Sequence, residues 1–358
     1  MKFISYTYPW LENVLKSEVE KRKINILEIW PWFVVFSGDI STMVKANLWF
    51  RTANKVYILL GEENIENFDN LFDFVYSIDW NYFIPKKYWI SVNPHIVKSK
   101  LSHIPSIQKI VQKAIFKKLT NDSYYNFDED KNIEVRIDIF KDKVRVLLDT
   151  SGDPLYKRWY KENISKAWLK ETLTSGILLL TWCKSDVFFD PFCGSWTILI
   201  EKAMIDKNIA PWIFRNFLFE KFDWVDKNIL EKERWRAKTR EKNINCKYFW
   251  FDIDENMVLI ARQNIKKAGL ENFIKVEKAD FLNVKISWWT MITNPPYNKR
   301  IKLDNMDEIY EKLFNDFSNI KCGWLITWYE NINKKFYDFF KVRVLSNGWD
   351  RVKFFYKK

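Results

Sequence analysis

The stretch "DPFCGSWTILIEKAM", residues 190–204, decides how the second half of the chain is read. It leaves an apolar strand, "DVFFD", passes a short turn and enters an apolar helix, "TILIEKAMI". In doubly wound sheets, ligands bind beyond the carboxyl ends of the strands, where turn backbone must approach the ligand closely. Glycine permits that approach, whereas a bulky side chain fills the space. Asp190, Gly194 and Ser195 suit such a turn; Trp196 does not.

Working outward, "KYFWFD" ends at Asp252, an acidic strand end able to accept ribose hydroxyls, with Asp254 placed to cap the next helix. Gly269 is expected to end that helix. "FIKVEK" leads to "KADF", where Asp280 could meet an adenine amino group and Phe281 could stack on its ring. With "TMIT" and "GWLIT" these segments give the strand–helix alternation of a parallel α/β sheet. Asn347-Gly348 lies between two strand-like runs and signals a hairpin.

The chemical motif is "TNPPYNKR", 293–300. Pro295 and Pro296 fix two backbone angles and remove two N–H donors, which predicts rigid carbonyls pointing outward. With the side-chain oxygen of Asn294 they can hold both hydrogens of an exocyclic amine. Tyr297 can stack on the base that carries it.

The first half divides into 1–55, mixing short strands with amphipathic helix, and 56–150, which holds the helix "PSIQKIVQKAIFKKL". Pro105 suits that helix's first turn, and Ile107, Ile110, Val111, Ala114, Ile115 and Leu119 form its apolar stripe. Residues 151–161 read as a linker and 162–358 as the α/β domain. The net charge of +12 favours a polyanionic partner. Cys183, Cys193, Cys246 and Cys322 form no CxxC pair, so isolated reduced thiols are expected; with only His95 and His103, a metal site is not. No 18-residue apolar run and no signal core are present, which predicts a cytoplasmic protein without a membrane span.

"DPFCGSWT", "FDID", "ADF" and "NPPY" in this order resemble a class I methyltransferase dependent on S-adenosylmethionine (AdoMet) and acting on an exocyclic amine. "DTSGDPLYKRWYK", "DPFCGSWTILIEKAMIDKNIAPWIFRNFLFE" and "TNPPYNKRI" are similar to the THUMP-domain RNA methyltransferases, in particular the 23S ribosomal RNA guanine-N(2) enzymes. The resemblance implies an α/β fold: a Rossmann-like catalytic domain preceded by an α+β ferredoxin-like segment and a THUMP domain that binds structured RNA. It implies AdoMet at Asp190, Cys193, Gly194, Ser195 and position 196, Asp252 on the ribose, and Asp280 with Phe281 near the adenine. It puts Asn294, Pro295, Pro296 and Tyr297 at the target base, and RNA phosphates near Lys98, Lys100, Lys109, Lys113 and Lys117. Transfer RNA is the alternative substrate.

The departures from the family share one direction. Trp196, Trp159, Trp212, Trp250 and Trp10 stand where the resemblance calls for glycine. The chain has 8 Gly and 19 Trp; about 7% glycine, roughly 25 residues, is usual at this length. A UGA codon read as glycine in the source cell and written as tryptophan explains this, with Trp49, Trp80 and Trp224 remaining ordinary aromatics. The rival reading is a degenerate relative with a plugged cofactor turn, an RNA-binding or ribosome-assembly protein.

Overall fold

The computed structural model describes residues 1–85, 88–121, 128–161, 169–192, 194, 197–285, 290–296, 305–320, 322–327, 329, 332, 334–347 and 350–357. The chain divides into two compact units: Met1–Leu155 with Trp212–Arg236, and Tyr156–Pro211 with Ala237–Lys358.

The first unit runs β1 (Lys2–Tyr6), α1 (Glu12–Lys21), β2 (Asn25–Trp30), β3 (Phe33–Ser37), α2 (Ile40–Trp49), β4 (Lys55–Asn64), α3 (Phe68–Ser77), α4 (Trp80–Phe83), β5 (Tyr88–Val97), α5 (Ile104–Thr120), β6 (Asp128–Phe140) and β7 (Lys143–Asp149). Its strands form one sheet in the order β2-β3-β1-β4-β7-β6-β5. β4 pairs β1 on one side and β7 on the other, so the two N-terminal blocks share this sheet. Period-two alternation explains the packing of β1: Phe3 stacks on Phe36, which meets Phe50, while Ile4 and Tyr6 face Phe33, Val35 and Tyr57. In α5, Pro105 lies in the first turn and the His103 ring caps Ser106 N–H. Ile107, Val111, Ala114 and Ile115 are buried, while Ile110 and Leu119 are half-buried.

Residues Trp212–Arg236 cluster in space with the first unit. Phe219 N–H donates to Thr150 O at 3.0 Å and Trp212 Nε1 to Phe50 O at 3.3 Å. Backbone pairing to the end of β7 decides the placement; sequence distance could not show it.

The second unit contains α6 (Glu171–Thr181), β8 (Val187–Asp190), α7 (Thr197–Asp206), β9 (Lys247–Asp252), α9 (Glu255–Lys267), β10 (Ile274–Lys278), β11 (Thr290–Thr293), α10 (Met306–Asn319), β12 (Gly323–Thr327), α11 (Lys335–Phe339), β13 (Lys341–Asn347) and β14 (Asp350–Lys357); α8 (Lys227–Thr239) spans the division between units. The order is β10-β9-β8-β11-β12-β14-β13, with the first five strands parallel and β14 antiparallel to both of its neighbours, β12 and β13. Asn347 pairs Asp350 in the predicted hairpin; Gly348 lies outside the described residues. Asp254 caps α9 through Asn256 N–H at 2.9 Å, and Gly269 follows that helix at φ 66°. At Gly323 a Cβ would sit 2.3 Å from Met291 O, so only glycine lets β12 pair this closely with β11.

The expectation of isolated thiols is corrected: Cys183 and Cys322 form a disulfide, with Cα atoms 5.9 Å apart. They are 139 residues apart in sequence, but both lie at the amino ends of parallel strands, β8 and β12, where the topology brings them together.

A charged cluster sits in the core of this unit. Arg158 and Glu201, both fully buried, pair at 2.8 Å. Tyr160 donates to Glu201 at 2.9 Å, and the Ser175 hydroxyl donates to the same carboxylate. The cluster ties residues 158–160 to α6 and to α7, the helix that begins at Thr197.

Candidate active site

The sheet reverses direction at β8, with β9 on one side and β11 on the other, and the crevice beyond their carboxyl ends is where an open α/β sheet holds ligands. Asp190 ends β8 there and is fully buried. Its carboxylate accepts from the Thr293 hydroxyl at 2.7 Å, Phe192 N–H at 3.2 Å and Trp250 Nε1 at 3.1 Å. Asp190 therefore joins three strand ends and fixes the turn. In the ligand-free protein these donors occupy both carboxylate oxygens.

Burial pushes the Asp190 pKa up to about 7, against donors that pull it down. A carboxyl with a raised folded-state pKa adds stability that is fully present below its unfolded value and lost as pH rises to the folded one. Asp190→Asn removes that loss. The Tm of the variant minus that of the parent should climb between about pH 4 and 7 and then level off. Melting curves without ligand across this range check it; a constant difference contradicts it.

Asp252 ends the neighbouring β9 and is half-buried. Burial raises its pKa, and backbone N–H groups of Asp254, Ile253 and Gly194 pull it back. The Gly194 contact brings the first turn to the acidic strand end, as a ribose site requires. Beside it Ile253 is 66% exposed, an apolar side chain next to the acidic strand end.

After β10, Asp280 caps a short turn, accepting from Leu282 N–H at 3.0 Å. Phe281 is 4% exposed and packs on Phe192 with ring centroids 5.0 Å apart, so it belongs to the core and offers no open face.

Beyond β11, Asn294 is half-buried. Its Oδ1 is buried and accepts no hydrogen bond. A buried acceptor left unpaired costs about 1–3 kcal/mol, a cost that a bound donor removes. Pro295 is buried and Pro296 half-buried. The Pro296 carbonyl does not point outward as expected: it accepts from the Tyr310 hydroxyl at 3.0 Å. That leaves Pro295 as the proline carbonyl able to serve beside Asn294. Cys193, Ser195, Trp196 and Tyr297 lie outside the described residues.

Sequence reading missed Thr293, Ile253 and Tyr310. Thr293 and Ile253 adjoin motifs already singled out, so position was their only signal. Tyr310 looks like a core residue of an amphipathic helix, and only the fold brings it to the proline pair.

In the first unit, Lys109, Lys113 and Lys117 are exposed along one face of α5. Lys98 and Lys100 are exposed beyond β5, Lys100 paired with Glu66 at 2.5 Å. Among the described residues no group of three or more His, Cys, Asp or Glu side chains converges as a metal site, and no helix is long and apolar enough to cross a membrane.

Fold and site together define a Rossmann-like methyltransferase of the AdoMet-dependent class. Residues 158–351 match the RMKL-like methyltransferase domain, 66–149 the THUMP domain and 2–57 the RlmL ferredoxin-like domain, and the chain belongs to this methyltransferase family. It is 33% identical over 335 residues to YpsC of Bacillus subtilis, a candidate RNA methyltransferase, covering 90% of this chain and 87% of YpsC. It is 29% identical over 304 residues to the ribosomal RNA large subunit methyltransferase K/L of Shewanella sediminis, of whose length it spans 43%. The crystal structure of SMU.472, a candidate methyltransferase complexed with SAH, superposes with a TM-score of 0.88 at 33% identity, covering 99% of this chain and 97% of that one.

Proposed function

We propose that this chain transfers a methyl group from AdoMet to the exocyclic 2-amino group of a guanosine in 23S ribosomal RNA. The observation that carries the reading is the buried, unpartnered Oδ1 of Asn294 at the end of β11, across the crevice mouth from Gly194 and Asp252. The charge of +12, the THUMP domain and the names of the relatives support RNA as substrate.

AdoMet supplies the electrophilic methyl when bound. The residues present fit it: the Asp252 carboxylate for the ribose hydroxyls, Ile253 for the adenine face and Gly194 for close backbone approach. Asn294 Oδ1 and the Pro295 carbonyl accept the two amine hydrogens, holding the nitrogen lone pair toward the methyl. No strong base is needed first, because the proton can leave after the nitrogen has been methylated. Proline rigidity fixes the acceptors before the base arrives, which lowers the reorganisation required during the reaction.

The test offers labelled AdoMet with equal amounts of bare 23S rRNA, tRNA or duplex DNA. Label entering 23S rRNA is the expected result; label entering tRNA or DNA alone overturns the assigned polymer. The α5 lysines give a separate expectation for binding. Each lysine that meets a phosphate adds roughly one unit to the slope of log affinity against log salt. Changing Lys109, Lys113 and Lys117 to alanine should flatten that slope, and an unchanged slope removes the stripe from the interface.

A further inference from the structure

We propose that Tyr310 is a positioning residue for methyl transfer, acting through the second proline of the acceptor loop; this rests on the amine-site reading above. Its hydroxyl donates to Pro296 O at 3.0 Å and is hydrogen-bonded to the Thr327 hydroxyl. Thr327 Oγ1 in turn accepts Tyr329 N–H at 2.9 Å. The Pro296 carbonyl can only accept, which sets the direction of the chain: Tyr310 spends its one proton there and must accept from Thr327. Tyr329 N–H donates to Thr327, the Thr327 hydroxyl donates to Tyr310, and Tyr310 donates to Pro296. Each bond polarises the next, so the relay ends as a strengthened donor on the loop carbonyl.

The relay is held rigidly. Tyr310 is 4% exposed, and its ring lies 4.2 Å from that of Tyr329 at 22°. The Tyr329 hydroxyl is bonded to Asp307 in the first turn of α10. Thr327 is fully buried at the end of β12, the strand beside β11. The proline pair has no N–H of its own with which to anchor itself. A donor from outside must set the loop, and Tyr310 is that donor. Holding the Pro296 carbonyl away from the crevice also assigns the amine to Asn294 and Pro295.

Tyr310→Phe keeps the stacked ring and deletes the hydroxyl. A displacement of about 1 Å at reacting groups can cost on the order of 100-fold in rate. The expected result is a 10- to 100-fold fall in kcat by this argument, with AdoMet Kd and RNA KM changed less than about twofold. Thr327→Val should give the same split more weakly, and Thr327→Ser should restore the rate. Normal kcat in Tyr310→Phe, or equal losses in kcat and AdoMet affinity, overturns the inference. If Tyr310→Phe does not fold, the two Thr327 variants decide: equal kcat in both overturns it. Asn294→Ala is run alongside. Full turnover there shows the amine-site reading itself to be wrong, whereas its loss together with normal Tyr310→Phe turnover refutes only the Tyr310 role.

A second inference comes from the backbone. Trp10, Trp32 and Trp182 have φ of 70°, 68° and 38°, in the left-handed region. Pro31-Trp32 forms the two-residue link between β2 and β3, where a type II turn wants proline and then glycine. Trp182 caps α6 in the conformation that usually belongs to glycine. Trp32 is 42% and Trp182 53% exposed, and Trp10 Nε1 is buried without a partner. Trp80 and Trp224 differ: their Nε1 groups donate to Val75 O at 2.7 Å and Phe83 O at 3.2 Å. Trp212 and Trp250 are also buried with Nε1 partners, so their case rests on sequence pattern alone. We infer that the source cell places glycine at 10, 32 and 182. Peptide mass spectrometry of the natively made protein should find glycine at these three positions and tryptophan at 80 and 224; tryptophan at 10, 32 and 182 overturns the inference.

Discussion

Asn294→Ala should abolish detectable methyl transfer while leaving both ligands bound. Removing one preorganised hydrogen-bonding group from a reacting centre costs about 10²–10³ in kcat, and Asn294 Oδ1 is one of two acceptors available to the amine. The substitution also deletes a buried polar atom that has no partner in the ligand-free protein. Stability should therefore hold or rise, because an unpaired buried acceptor is removed. AdoMet titration and RNA filter binding should stay within twofold of the parent, because neither Asp252 nor the α5 lysines are touched. Single-turnover kinetics with saturating AdoMet and RNA separate the chemical step from binding. A variant with parental kcat would remove Asn294 from the reaction. A variant that loses AdoMet affinity as well would make it structural.

Arg158→Met should be the most destabilising single change in the methyltransferase unit. Arg158 and Glu201 are both fully buried, and removing one partner strands the other charge away from water at a cost of about 3–5 kcal/mol. For a unit of this size 1 kcal/mol moves Tm by about 2–4 °C, so a fall near 10 °C is expected. Tyr160 and Ser175, which also donate to Glu201, bring no positive charge to replace it. Arg158→Met with Glu201→Leu should recover most of the loss, since an apolar pair of similar volume can replace a buried ion pair. Melting curves of the single and double variants decide this; an additive double loss would mean that packing, not charge, holds the cluster. The exposed Lys100–Glu66 pair is the contrast, and Lys100→Ala should leave Tm nearly unchanged.

The parallel half of the catalytic sheet was legible from local patterns. "DVFFD", "KYFWFD", "TMIT" and "GWLIT" became β8, β9, β11 and β12 because short apolar runs bounded by turn residues suit buried parallel strands, and "FIKVEK" became the edge strand β10, whose buried and exposed residues alternate. The helix of 104–120 was legible from its cap, its proline and its 3.6-residue stripe. What sequence did not show was long-range placement. The backbone of 217–219 joins the end of β7, Cys183 meets Cys322, and Phe281 turns into the core rather than toward a ligand. The site divides the same way. Asp252 and Asn294 follow strand ends, so their position carries their meaning, whereas the inward-held Pro296 carbonyl depends on a tyrosine 14 residues further along the chain.

A crevice that methylates a guanine amine leaves a product that can be weighed. The most direct measurement incubates the protein with deuterated AdoMet and unmodified 23S rRNA, digests the RNA to nucleosides and weighs them. Labelled N2-methylguanosine is the predicted product. Label on a ring nitrogen, a ribose or an adenine amine, or no label from protein that binds AdoMet and RNA, would contradict it.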